Sequence, residues 1–231
     1  MKQTFDLNTL KKSEILYLWN NRCRHYARYL EHPACYWYDH PGGAGILKPE
    51  RVAYLDIEST NLNASFGYIL CYCIKEAGVD KILTRAVTPK DIRTYQFDKN
   101  IMANFAKDIL PFDRLVGYYS KDYRFDIPFL RTRALRWGVP FPSYKEHLFT
   151  DAYDLAKKKL RLHRTRMENV ADLLGVPSKG HRLNPTIWME CQAGKKSAID
   201  YVVTHCQEDV TTLEAVTNAL QRFDRIGRTS L

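Results

Sequence analysis

The order of apolar segments predicts an α/β protein, a mixed β-sheet flanked by helices, preceded by a small helical and irregular N-terminal extension. Three observations predict it. Apolar runs of strand length cluster between residues 51 and 87 and recur at 114–119. Stretches with helical periodicity occupy 98–109, 127–137 and the regions near 152–160, 166–174 and 195–222. Three strands, a helix, a strand and then mostly helices is the order expected of a sheet covered by helices.

The elements follow from local pattern. Within 8–31, Leu10, Ile15, Leu16, Leu18 and Trp19 fall among basic and polar residues, which reads as one or two amphipathic helices. Residues 32–48 are rich in Pro, Gly, Cys, His and Tyr and read as irregular, placing a boundary near residue 48. The expected division is an extension over 1–48 and a main α/β domain over 49–231. Arg51–Glu58 reads as a buried strand that ends in acids. Phe66–Lys75 and Lys81–Val87 read as two more strands, with turns at Asn61–Asn63 and Glu76–Asp80, giving an antiparallel meander. Arg114–Tyr119 is a further apolar strand, and Ile127–Trp137 a helix stopped at Gly138.

Bulk properties narrow the function. The chain has 231 residues, 45% hydrophobic and 13% aromatic, enough for a real core and too apolar for overall disorder. Its formal net charge is +9 and its pI is near 9.2, a balance that suits a polyanionic partner, nucleic acid being the commonest. The six cysteines lack the dense spacing of a disulfide scaffold. The first residues lack the apolar run of a signal peptide, and no apolar stretch is long enough to span a membrane. The expectation is a soluble, intracellular, cytoplasmic protein with no membrane partner.

Three acidic clusters carry the chemistry. In Leu55-Asp56-Ile57-Glu58, residues two apart on a strand point to one face, so both carboxylates converge at the end of an apolar strand. Two acids there are costly without a cation, and a bound divalent metal explains them economically. A strand end running into a solvated loop would give the same pattern. Asp126, in Phe125-Asp126-Ile127-Pro128-Phe129-Leu130, precedes an apolar helix whose Pro128 fits a first turn. Alone, Asp126 reads as that helix's N-cap. His205 and Asp209 lie four apart and share a helical face, as an ordinary solvated pair would.

In order, these clusters resemble the DEDD (DnaQ-like) exonuclease superfamily, relatives of polymerase proofreading domains, over roughly residues 51–222. Asp56-Ile57-Glu58-Ser59-Thr60 is similar to the first motif, and Phe125–Leu130 to the second in its family B polymerase form. The third motif departs from the family's Tyr-x3-Asp or His-x4-Asp: here it is His205-x3-Asp209. The asparagine often found shortly before the Phe-Asp pair is also missing, the neighbourhood reading Ser120-Lys121-Asp122-Tyr123. The resemblance implies a ribonuclease H-like fold and a 3′–5′ exonuclease acting on DNA or RNA. It implies two Mg²⁺ or Mn²⁺ ions held by Asp56, Glu58, Asp126 and Asp209, with Asp56 bridging them and His205 accepting a proton from the attacking water. Such ions prefer carboxylate oxygens. A structure-selective endonuclease and an inactive nucleic-acid-binding protein are the competing readings. Replication or repair partners fit the resemblance without being named by it.

Candidate substrate contacts are the aromatic Tyr123 and Phe125 and the basic Lys158, Arg161, Arg164 and Lys179, with His181 and Arg182 close behind. Solvated faces and core packing are the competing readings for each. Cys23, His25, His32 and Cys35, with His40 nearby, form a candidate structural Zn²⁺ site; a set of partly buried side chains in a Tyr-rich loop is the alternative. Cys71 and Cys73, on one face of a predicted strand, read as core packing.

Overall fold

A computed structural model of the chain describes residues 5, 7, 10–40, 50–143, 146–176, 180–221 and 223. The chain divides into two compact units between Glu50 and Arg51.

In the N-terminal unit, helix α1 (Lys12–Asn20) is followed by a turn-rich segment with an isolated bridge between Arg22 and Arg28, then helix α2 (Pro33–Asp39). The helix over 33–39 corrects the irregular reading of that stretch. Pro33 sits at its first position, where a missing N–H costs nothing, and Ala34, Cys35 and Tyr36 are buried. Composition alone hid a helix only two turns long.

The larger unit is built on a sheet. Its strands are β1 (Val52–Ser59), β2 (Ile69–Glu76), β3 (Ile82–Ala86), β4 (Arg114–Gly117) and β5 (Leu148–Asp151). They lie in the order β3-β2-β1-β4-β5 among the described residues. β1 pairs antiparallel with β2, and β2 with β3, which is the expected meander. β1 and β4 are parallel, as are β4 and β5. Between β3 and β4 lie α3 (Pro89–Arg93) and α4 (Lys99–Ile109); α5 (Asp126–Trp137) links β4 to β5. After β5 come α6 (Ala152–Lys159), α7 (Met167–Leu173), α8 (Pro185–Gln192) and the long α9 (Lys196–Gln221). The mixed sheet flanked by helices is therefore present. The short elements α3, β5 and α8 do not stand out from the local sequence pattern.

β1 is central and its neighbours run on both sides, so Ala53, Leu55 and Ile57 are almost fully buried. The opposite face carries Tyr54, Asp56 and Glu58 and meets α9: the Tyr54 hydroxyl donates to Asn218 Oδ1 at 3.3 Å. Cys206 of α9 packs beneath, its thiol 3.5 Å from the Asp56 carbonyl. Cys71 and Cys73 are fully buried in β2, as core residues. α5 ends as expected at Gly138, whose φ of +60° closes the helix with a left-handed residue. A buried ion pair pins α5 to the start of α4: Arg133 forks onto Asp98 at 2.7 Å through both Nε and Nη2. No helix among the described residues is long and apolar enough to cross a membrane.

Candidate active site

The chemistry gathers beyond the C-terminal ends of the parallel strands, the usual ligand-binding edge of an open α/β sheet. β1 delivers Asp56 and Glu58 on one face. α9 crosses that face and delivers His205 and Asp209, one turn apart. α5 begins with Asp126, just after the loop that follows β4.

Ligand atoms of Glu58, His205 and Asp209 lie within 4.8 Å of one another. His205 Nε2 is 3.5 Å from Glu58 Oε1 and 3.6 Å from Asp209 Oδ2. All three side chains are mostly shielded from solvent, 10–14% exposed. The other ring nitrogen is fixed. His205 Nδ1 hydrogen-bonds the backbone carbonyl of His181. A carbonyl only accepts, so Nδ1 donates to it, and Nε2 is the nitrogen turned towards the carboxylates. The three-residue spacing therefore does not turn the ring away from the acids.

His181 is itself held. Its Nδ1 lies 2.6 Å from Glu208 Oε1, and its backbone N–H donates to Glu208 Oε2 at 3.1 Å. Burial pushes the Glu208 carboxyl up, but the His181 hydrogen bonds outweigh it and the net shift is downward. The His181 ring also meets Tyr201 edge-on at 4.9 Å. The backbone carbonyl of His181, a residue expected near phosphates, braces His205. Only the fold brings it there, 24 residues from its partner, and no local signal points to it.

Asp126 is not the N-cap of α5. Phe125 occupies that position, Asp126 is the first helical residue, and its carboxylate accepts a hydrogen bond from the Ser120 hydroxyl. Burial, above all, pushes the Asp126 carboxyl up to about 7; the Ser120 bond opposes this, and the charges of Asp151 and Asp209 add to it. The loop before Asp126 is organised by Asp151, at the end of β5. Its carboxylate accepts the N–H groups of Tyr119 at 2.9 Å, Ser120 at 3.0 Å and Lys121 at 3.2 Å, and the Arg124 guanidinium at 2.7 Å. Tyr119 takes a left-handed φ of +61° in this turn. Gly117 permits it, because a Cβ there would lie 2.4 Å from Ser120 Oγ. Ser120, Arg124 and Asp151 thus set the position of Asp126; in the sequence, Asp151 looks like any other helix cap.

The site residues suit hard divalent cations. The ligand atoms that converge are those of Glu58, His205 and Asp209, while Asp56 and Asp126 lie outside that group; Asp126, buried and facing the charges of Asp151 and Asp209, stays protonated to near neutrality. A cation of Mg²⁺ or Mn²⁺ type, which prefers oxygen ligands, would remove that penalty.

The expected substrate contacts separate. Phe125 is half-buried and, with Glu58, Thr60, Leu62, Pro185 and Trp188, lines a pocket of about 420 Å³. Tyr123 is 74% exposed, with Lys121 and Arg124 over its ring. Arg164 lines a second cleft of about 590 Å³ with Tyr118, Tyr119, Tyr153, His163 and Arg166. Lys158 and Arg161 are exposed on α6 and on the extended segment after it. Lys179 lies outside the described residues. Trp188, on a helix absent from the sequence reading, is an aromatic wall that reading missed.

Comparison with known proteins agrees with the fold. A family model described as RNase_H superfamily matches residues 53–221, most of the larger unit. A DNA polymerase of Archaeoglobus fulgidus is 33% identical over 95 residues, a match covering 34% of this chain and 12% of the polymerase. The chain therefore corresponds to a small part of that relative's length.

Proposed function

Because the chain belongs to the RNase_H superfamily, we propose that its larger unit is a metal-dependent nuclease of the DEDD type that removes nucleotides from the 3′ end of DNA or RNA. The observation that carries this reading is the convergence of Glu58, His205 and Asp209, with ligand atoms within 4.8 Å, on the face of β1 that also bears Asp56. A solvated strand end and an unrelated helix pair have no reason to meet. The polymerase relative makes DNA the first substrate to try.

Asp56, Glu58, Asp126 and Asp209 would hold two Mg²⁺ or Mn²⁺ ions. Such a pair supplies charge neutralisation at the phosphate and acidifies the attacking water. The protein supplies the rest. His205 accepts the water's proton at Nε2, because its Nδ1–H is committed to the His181 carbonyl. Glu208 keeps His181, and hence that carbonyl, in place. Ser120 orients the Asp126 carboxylate. The pocket walled by Phe125 and Trp188 receives the terminal base beside Glu58, where aromatic faces stack on any base. Arg164 and its neighbours meet the backbone phosphates, so binding weakens as salt rises.

The test is a degradation assay on end-labelled single- and double-stranded DNA and RNA with Mg²⁺ or Mn²⁺, beside covalently closed circles. Stepwise shortening from the 3′ end, absent with EDTA and in Asp56→Asn, is the expected result. Cleavage of circles would replace the exonuclease by an endonuclease. Metal-independent activity, or full activity in Asp56→Asn, would overturn the assignment.

A further inference from the structure

In the N-terminal unit, a turn at Cys23–Ala27 and the entry to α2 bring two cysteines and two histidines together. The turn is closed by Cys23 N–H to the Ala27 carbonyl at 2.9 Å and Tyr26 N–H to the Cys23 carbonyl at 2.8 Å, with Tyr26 at a left-handed φ of +60°. His32 is the residue before Pro33, and Cys35 lies in the first turn of α2, its N–H bonded to the His32 carbonyl at 3.0 Å. One ligand atom from each of Cys23, His25, His32 and Cys35 lies within 4.8 Å of all the others.

The separations have a tetrahedron's dimensions. Cys23 Sγ is 3.3 Å from His32 Nδ1 and 3.8 Å from His25 Nδ1, and His25 Nδ1 is 3.2 Å from Cys35 Sγ. A zinc ion with Zn–S near 2.3 Å and Zn–N near 2.05 Å, in tetrahedral geometry, requires S···N edges of roughly 3.6 Å. The observed edges bracket that value. Three of the contacts use Nδ1, so two imidazoles and two thiols aim at one point rather than pairing in a chain.

The packing gives the site a purpose. The buried cluster of this unit comprises Leu18, Cys23, Tyr29, Cys35 and Tyr36 among the described residues, flanked by partly buried rings such as Phe5, Tyr17 and Trp37. Two of those five core members are the cysteines themselves. For a unit of this size, a metal is one of the standard supplements to a small apolar core. Both cysteines are 4% exposed, while His25 lies at the surface, so an ion could enter from the His25 side.

We propose that Cys23, His25, His32 and Cys35 bind one Zn²⁺ in a closed, structural Cys₂His₂ site that folds the N-terminal unit. Four protein ligands leave no open position, so this ion takes no part in hydrolysis. Both cysteines bind as thiolates, each releasing its proton to solvent as the ion enters.

The test uses the full chain, purified without chelator. Elemental analysis should find one zinc per chain, retained in Asp56→Asn and in the control Cys191→Ser, and reduced at least tenfold in Cys35→Ser. Refolding with Co²⁺ should give the visible bands of a tetrahedral ion and a near-ultraviolet thiolate-to-cobalt band. Because Cys35 is buried and its serine variant can fail to fold, His25→Cys provides the second arm. It should keep the metal and raise the thiolate band about 1.5-fold, from two thiolates to three, at the exposed position. No zinc in the wild-type chain, iron in its place, zinc undiminished in Cys35→Ser, or cobalt bound without a thiolate band would each overturn the proposal. None of these outcomes depends on nuclease activity.

Discussion

Replacing Asp126 by asparagine should stabilise the metal-free protein while abolishing its activity. The Asp126 carboxyl is buried, and its acidity is shifted from an ordinary 3.8 to about 7. Below pH 4 it is protonated in both folded and unfolded chains. Between about pH 4 and 7 folding takes up a proton, so wild-type stability falls as pH rises through this window. Above 7 the loss is complete and constant. The difference between 3.8 and about 7, at 1.36 kcal/mol per pH unit, is a ceiling of roughly 4 kcal/mol. The amide of Asp126→Asn stays neutral throughout and still accepts the Ser120 hydrogen bond. Allowing for relaxation around the wild-type charge, the expected gain in EDTA at pH 8 is about 1–3 kcal/mol, shrinking towards zero by pH 4–5. At this size that is a rise of about 2–12 °C in melting temperature. Thermal unfolding followed by circular dichroism from pH 5 to 8, with EDTA, measures it. Adding Mn²⁺ should then raise the wild-type transition and leave the variant's nearly unmoved. A variant less stable than wild type at pH 8 in EDTA, or a gap that does not change with pH, would refute the reasoning.

Two further outcomes follow from the same structure. His205→Ala should lower turnover roughly 10²–10⁴-fold, the scale of general-base catalysis, with metal affinity by titration calorimetry little changed because the carboxylates remain. Near-normal turnover would remove His205 from the base role and leave the four carboxylates untouched. Asp98→Ala should cost about 3–5 kcal/mol, since it strands the buried Arg133 guanidinium and the Trp137 indole N–H that donates to the same carboxylate at 2.7 Å. Urea unfolding reads that loss, and the double variant Asp98→Ala, Arg133→Met should recover most of it.

The sequence by itself determined the parts whose signals are local. The strand β1 was legible because an apolar run of eight residues is long enough to read, and its two acids stood out against it. The antiparallel meander followed from three such runs separated by short turns, and the end of α5 from a single glycine. The spacing of His205 and Asp209 already put them on one helical face. Tertiary structure decided what those residues meet. Asp126 read as a helix cap because its helix is contiguous with it, whereas its actual partner, the Ser120 hydroxyl, is presented by a loop that Asp151 holds from β5. The orientation of His205 depends on a carbonyl that reaches it only when the segment at His181 folds onto α9. Short elements such as β5 and α8 carry Asp151 and Trp188 into place, yet neither stands out from the sequence around it. Periodicity records which face of an element is buried; hydrogen bonds between distant segments are set by how those faces pack, and that information is spread over the whole chain.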